Sequence, residues 1–152
     1  MFNKRSVLAL ILVVVTTLLV SCSSGQVNTP PPTYTLEKIE SIQKFVTPIE
    51  SARQDLSKLK RLIDEQDWID TRSFIHGPLG QLRRDLSYLS RELLPQDQKQ
   101  ATQLIKDLFS DFEELDAEAK AKNPSLALQR YNDAVGHFDA FLRLIPKSEP
   151  IS

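Results

Sequence analysis

Apart from the initiator Met1, the 152-residue chain contains no methionine, and it has one cysteine, Cys22. A single thiol leaves no intramolecular disulfide, and no Cys-x-x-Cys-His exists for covalent haem attachment. Without methionine, a thioether axial ligand is excluded as well. There are two histidines, His76 and His137. A di-iron bundle needs Glu-x-x-His pairs, but the residues three before these histidines are Ser73 and Ala134. No cofactor is expected. Charge of either sign is scarce in excess: the formal net charge is -1, which excludes the strongly basic face of a nucleic-acid binder. Long apolar runs are missing too. The longest, Val7 to Val20, falls short of the roughly 18 residues that span a membrane. Beyond it, the alternation of period two that marks strands is absent.

What is present begins with Lys4 and Arg5, the short apolar run, and then small residues. That order is a secretory signal, residues 1–21, to be set aside from fold reasoning. Leu19-Val20-Ser21-Cys22 has the form of a bacterial lipobox, in which cleavage precedes Cys22 and the thiol takes a diacylglycerol. The plainer alternative is an ordinary signal peptide with an incidental cysteine. A lone exposed thiol in an exported protein is a liability, which favours the lipid. The expected contact with a membrane is therefore a tether at Cys22. Loss of Lys4 and Arg5 takes the balance from 19 basic and 20 acidic residues to 17 and 20, a charge of -3. Ser23 to Thr35 is polar and Pro-rich, as in semi-rigid spacers. Residues 22–46 are assigned to this linker and a short prelude, in which Ile42 and Phe45 keep helical phase.

From residue 47 to 146 the apolar residues recur at steps of three and four. Thr47-Pro48-Ile49-Glu50 has the form of a capping box with proline at N1, opening a helix with the stripe Ile49, Ala52, Leu56, Leu59, Ile63. A second helix, about Trp68 to Leu94, buries Ile75, Leu79, Leu82, Leu86, Leu89 and Leu93. A third, about Gln96 to Lys120, presents Ile105, Leu108, Phe112, Leu115 and Ala119. Asn123-Pro124 starts a fourth with Leu128, Tyr131, Val135, Phe138, Leu142 and Ile145, ending at Pro146. Four stripes on short connections predict an all-α, up-down-up-down four-helix bundle, with 147–152 as a tail. The exception is FIHGPLGQLRRDL, Phe74 to Leu86. Glycine costs about 1 kcal/mol and proline about 3 kcal/mol inside a helix. The second helix is therefore expected to kink or restart near Gly77-Pro78, with Gly77 allowing close backbone approach.

No catalytic constellation emerges. His76 and His137 are weak candidates for a divalent metal, with Asp133 or Asp139 nearby, and ordinary boundary histidines otherwise. His76 is also a candidate for titration in an acidified compartment. The carboxylates of the third helix, among them Asp107, Asp111, Glu113, Glu114, Asp116 and Glu118, are expected to form a solvated face. The second helix carries Arg72, Arg83, Arg84 and Arg91. His76 and Arg83 share a face, as do Arg84 and Arg91, and His76, Arg83, Arg84 and Arg91 are candidates for an interface. Pairing with the acidic neighbour helix is the competing expectation. A bend at Gly77 either places Arg83 and Arg84 for docking or only wraps the helix around the core. Tyr88, Tyr131 and Trp68 are expected in the core or at its boundary.

Asp67-Trp68, FIHGPLGQLRRDL, LLPQDQ (Leu93 to Gln98), DFEELDAEAKAKN (Asp111 to Asn123) and YNDAVGHFDAFLRLIP (Tyr131 to Pro146), together with the lipobox, closely resemble the cyanobacterial PsbQ-like lipoproteins. These are extrinsic subunits of photosystem II. The resemblance implies a non-enzymatic role on the lumenal side of the thylakoid membrane, supporting the oxygen-evolving complex and its retention of calcium and chloride. It also implies contact with the photosystem II core and with other lumenal extrinsic subunits. The residues by themselves also fit a membrane-tethered adaptor or assembly lipoprotein, or a weak divalent-metal carrier.

Overall fold

The computed structural model describes residues 32–147. The signal sequence, Cys22 with its expected lipid, the spacer up to residue 31 and the tail from 148 lie outside the described residues. Within them the chain forms six helices: α1 (Leu36–Gln43), α2 (Val46–Asp64), α3 (Trp68–His76), α4 (Pro78–Glu92), α5 (Pro95–Ala121) and α6 (Pro124–Leu142). The expected second helix is the pair α3 and α4. Each rod packs on two neighbours, α2 on α3–α4, those on α5, α5 on α6, and α6 back on α2. Short turns make successive rods antiparallel, which gives the four-helix bundle. Among the described residues no helix is long and apolar enough to cross a membrane.

The core follows the leucine stripes. Leu56, Leu59, Leu86, Leu89, Leu108 and Leu115 are fully buried, and Phe112, Phe138 and Phe141 fill the space between the rods. The fourth stripe is rotated from its expected face. Its buried residues are Ala127, Tyr131, Ala134, Phe138 and Phe141, while Leu128, Val135, Leu142 and Ile145 sit at the boundary. Alanines at 127 and 134 let the backbones of α5 and α6 approach, so the bulkier neighbours are displaced to the edges of the seam. Reading the stripe from large side chains alone misses this.

Helix starts differ in one place from expectation. Thr47 is not a cap: α2 already begins at Val46, its N-cap is Phe45, and no side chain caps it. The cap used lies earlier, where Thr35 accepts a hydrogen bond from the Lys38 amide and opens α1. α1 buries Ile42 completely. Ahead of it, the Tyr34 hydroxyl donates to Asp97 Oδ2 at 2.6 Å and accepts from the Leu94 amide at 3.1 Å. Burial, then the Asp97 hydrogen bond, push the Tyr34 phenol up to about 12. This arm therefore packs against the α4–α5 turn.

The two turns at the opposite end share a device. After α2, the Gln66 amide bonds to the Ile63 carbonyl and the Asp67 amide to the Leu62 carbonyl. After α5, Lys122 bonds to Ala119 and Asn123 to Glu118 in the same way. Both are Schellman closures, with left-handed residues Gln66 and Lys122 at φ 57°. In each, the next residue caps the following helix: Asp67 accepts from the Asp70 amide and Asn123 from the Leu126 amide.

The break after His76 answers to Gly77. Its ψ of -90° leaves the helical range, and a Cβ there would lie 3.0 Å from the Ser73 carbonyl oxygen. Pro78 then restarts the chain at N1 of α4, where a missing amide proton costs nothing. Close approach at Gly77 is as expected. Gly80 is different, since a Cβ there would meet nothing within 4 Å.

Candidate functional site

Beside the break, residues of α3 and α4 and the facing side of α5 line a groove of about 450 Å³. Its floor is apolar: Leu79 and Phe112 are each 2% exposed. Gly80 contributes no side chain, so the groove stays open above Leu79. The rim carries paired charges. Arg83 Nη2 donates to Glu113 Oε1 at 3.1 Å, and its guanidinium lies 4.2 Å from the centre of the Phe109 ring. Phe109 meets Phe112 edge to face, with ring centres 5.6 Å apart. Cation, ring and carboxylate therefore meet at the rim, in a pairing open to solvent.

At the other end of the groove Asp116 gathers two cationic partners. Arg72 Nε donates to its Oδ1 at 2.9 Å and Nη2 to its Oδ2 at 3.4 Å, while His76 Nε2 lies 2.9 Å from Oδ1. Burial pushes the Asp116 carboxyl up, but the hydrogen bonds from Arg72 and His76 outweigh it, and the group is held below the usual carboxylate range.

The structure thus brings His76 and Arg83 to one groove and ties both to α5. Arg84 and Arg91 lie apart from it, on an exposed strip. Arg84 bonds to Gln81 within its own helix, and Arg91 lies 5.9 Å above the Tyr88 ring. Tyr88 itself is 48% exposed, so it belongs to this strip and not to the core. Tyr131 is buried and Trp68 half-buried.

The solvated face expected of the third helix is a correction. Asp111 on α5 is 7% exposed, and its Oδ2 lies 2.6 Å from His137 Nδ1 on α6. Burial pushes the Asp111 carboxyl up, opposed by the His137 hydrogen bond. The histidines' carboxylate partners are accordingly Asp116 and Asp111, not Asp133 or Asp139. Asp139 pairs instead with Arg53 on α2, through bonds of 2.6 and 2.9 Å, which hold its carboxyl below the usual range. Asp133 is taken by Arg130. Each histidine meets one carboxylate, whereas a structural zinc site needs four ligands. No group of three or more metal-ligating side chains occurs among the described residues.

Sequence reasoning missed Phe109 and Glu113 as the partners of Arg83, and Asp116 as the hub for Arg72 and His76. The signal was available in part: Asp107, Asp111, Glu114 and Glu118 have no common phase with Asp116, but Phe109, Glu113 and Asp116 recur at steps of four and three. Those steps place them on one helical face.

The chain is similar to known proteins along nearly its whole length. The family model of PsbQ, oxygen evolving enhancer protein 3, matches residues 2–146. CyanoQ of Synechocystis sp. is 52% identical over 149 residues, covering 97% of this chain and 99% of that protein. A match of this extent takes in the groove, both Schellman turns and the helix break together. The chain belongs to the PsbQ family, that of oxygen evolving enhancer protein 3.

Proposed function

We propose that this chain is an extrinsic, non-enzymatic subunit of photosystem II, held at the lumenal face of the thylakoid membrane by a lipid on Cys22. There it stabilises the oxygen-evolving complex and helps retain its ions, in contact with the core and with other lumenal extrinsic subunits. The observation that carries the reading is the near-complete match to CyanoQ. The side chains support a docking role over a chemical one, because each charged group of the groove is already matched by a neighbour and the apolar floor is left for a visitor.

Two surfaces on the α3–α4 rod supply contacts. The groove offers His76 and Arg83 beside an apolar recess. The strip of Arg84, Tyr88 and Arg91 offers arginine and tyrosine, residue types enriched at the centres of interfaces. A tether raises local concentration without any new contact, so modest surfaces suffice. The test is to replace Arg84 and Arg91 together with Gln and to titrate photosystem II depleted of the subunit. Weaker binding at an unchanged Tm is expected, and equal binding removes the strip from the interface.

A further inference from the structure

The most exposed large apolar side chain among the described residues is Ile69, at 80%. Nothing in the fold requires it, since it faces away from the core on the first turn of α3. It borders a recess of about 460 Å³, lined by Trp68, Ser73, Ala119, Lys120 and Lys122 as well as Ile69. The recess meets the groove at His76 but differs from it in charge. In the groove each cation has a carboxylate. Here, among the described residues, neither Lys120 nor Lys122 makes an ion pair, and the Arg72 guanidinium is occupied by Asp116. The nearest acidic side chains in sequence are Asp70, beside Ile69, and Glu118, two residues before Lys120; neither lines the recess, and Asp67 is engaged in capping α3.

Lys122 enters the recess from the α5–α6 turn. Lys122 sits at φ 57°, ψ 43°, a left-handed position at which glycine or asparagine is the easier choice. Gln66 holds the same position in the other Schellman turn, so the turn itself accounts for the conformation. Particular to Lys122 is a cation placed at the rim of an apolar recess, in a chain whose overall formal charge is -1.

We propose that this recess docks an extended acidic segment of a protein subunit of photosystem II. The segment seats one apolar side chain against Ile69 and Trp68 and places carboxylates on Lys120 and Lys122. The proposal rests on the photosystem II reading above. A protein segment fits better than a lipid surface, because the site is concave and has two free cations. Membrane-binding faces are instead long and convex, with roughly four to eight lysines or arginines. Rim lysines of this kind act chiefly on association rate and salt dependence, whereas a buried apolar anchor acts on dissociation.

The experiment is titration of the purified full chain onto photosystem II washed free of the subunit, at two salt concentrations. Ile69→Ser is expected to raise Kd by at least about tenfold. Lys120→Gln with Lys122→Gln is expected to slow association and flatten the salt dependence. Lys122→Gly separates docking from stability, because it is expected to raise Tm while weakening binding. Unchanged Kd in all three variants, with the wild type still binding, would overturn the recess and leave the subunit reading intact. A wild-type chain that does not bind washed photosystem II removes that reading and this one together. Sedimentation with vesicles of phosphatidylglycerol and phosphatidylcholine, lost in the lysine variant, would assign the recess to a lipid surface instead.

Discussion

Asp111 and His137 meet across the α5–α6 seam at 2.6 Å, with Asp111 almost fully withdrawn from water. An ionised carboxylate only accepts, so the imidazole Nδ1–H donates. The pair stands where the alanines of α6 bring the two backbones close, and it satisfies a charge that burial would otherwise penalise. His137→Ala leaves that carboxylate alone. Breaking a buried pair costs about 3–5 kcal/mol, and the partial exposure of His137 reduces the expected loss to about 1–3 kcal/mol at neutral pH. Asp111 has a raised pKa in the folded state. Its contribution is therefore most favourable below the unfolded value of about 4 and is lost as pH rises. The destabilisation by His137→Ala should accordingly shrink as pH falls toward 4, and Asp111→Asn in the same background should recover part of it. Urea unfolding of the three proteins at acid and neutral pH measures this.

Asp116 and Asp139 shift the other way. Both carboxyls are held low in the folded state, Asp116 by Arg72 and His76 against its burial, and Asp139 by Arg53. Their contribution is present above the unfolded value of about 4 and is lost as pH falls through the lower folded values. Asp116→Asn should therefore lower stability at pH 7 and leave a difference from wild type that narrows below about pH 4. Thermal melts across the acid range check the slope.

Gly77 and Gly80, three residues apart, should respond oppositely to alanine. A Cβ at Gly77 meets the Ser73 carbonyl oxygen at 3.0 Å, and a backbone atom cannot step aside cheaply. Gly77→Ala is expected to cost about 1–3 kcal/mol. At Gly80 the Cβ enters open space inside a helix, and Gly80→Ala is expected to stabilise by about 0.5–1 kcal/mol. Denaturant midpoints of the two variants decide it.

Gln66 occupies the left-handed position of the first Schellman turn. Gln66→Gly should stabilise by about 0.5–1 kcal/mol, because glycine adopts that conformation without a Cβ clash. A lower Tm would show that the glutamine side chain makes up the difference.

The bundle was legible in the sequence because leucine spacing decides which face of α2, α4 and α5 is buried, from Leu56 through Leu86 to Leu115. The break at Gly77-Pro78 was legible because two residues that a helix interior disfavours stand side by side. The rotation of α6 was not, since its seam is set by Ala127 and Ala134, whose small size matters more than their hydrophobicity. The start of α2 was misread because Thr47-Pro48 satisfies a local rule that packing of Val46 and Ile49 overrides. The site was half legible. His76 and Arg83 were placed on one face by spacing, but their partners Asp116, Glu113 and Phe109 come from another rod, and a pairing between rods depends on the bundle's geometry. Arg84 and Arg91 shared a face as expected, though not that of the groove.

The central claim is that this chain is a stoichiometric extrinsic subunit of photosystem II. It is tested most directly by isolating oxygen-evolving photosystem II from gently solubilised thylakoids and quantifying this chain in it by mass spectrometry. The account predicts near-stoichiometric recovery, with an acylated peptide beginning at Cys22. Absence from the complex, with the protein abundant elsewhere in the membranes, would contradict it.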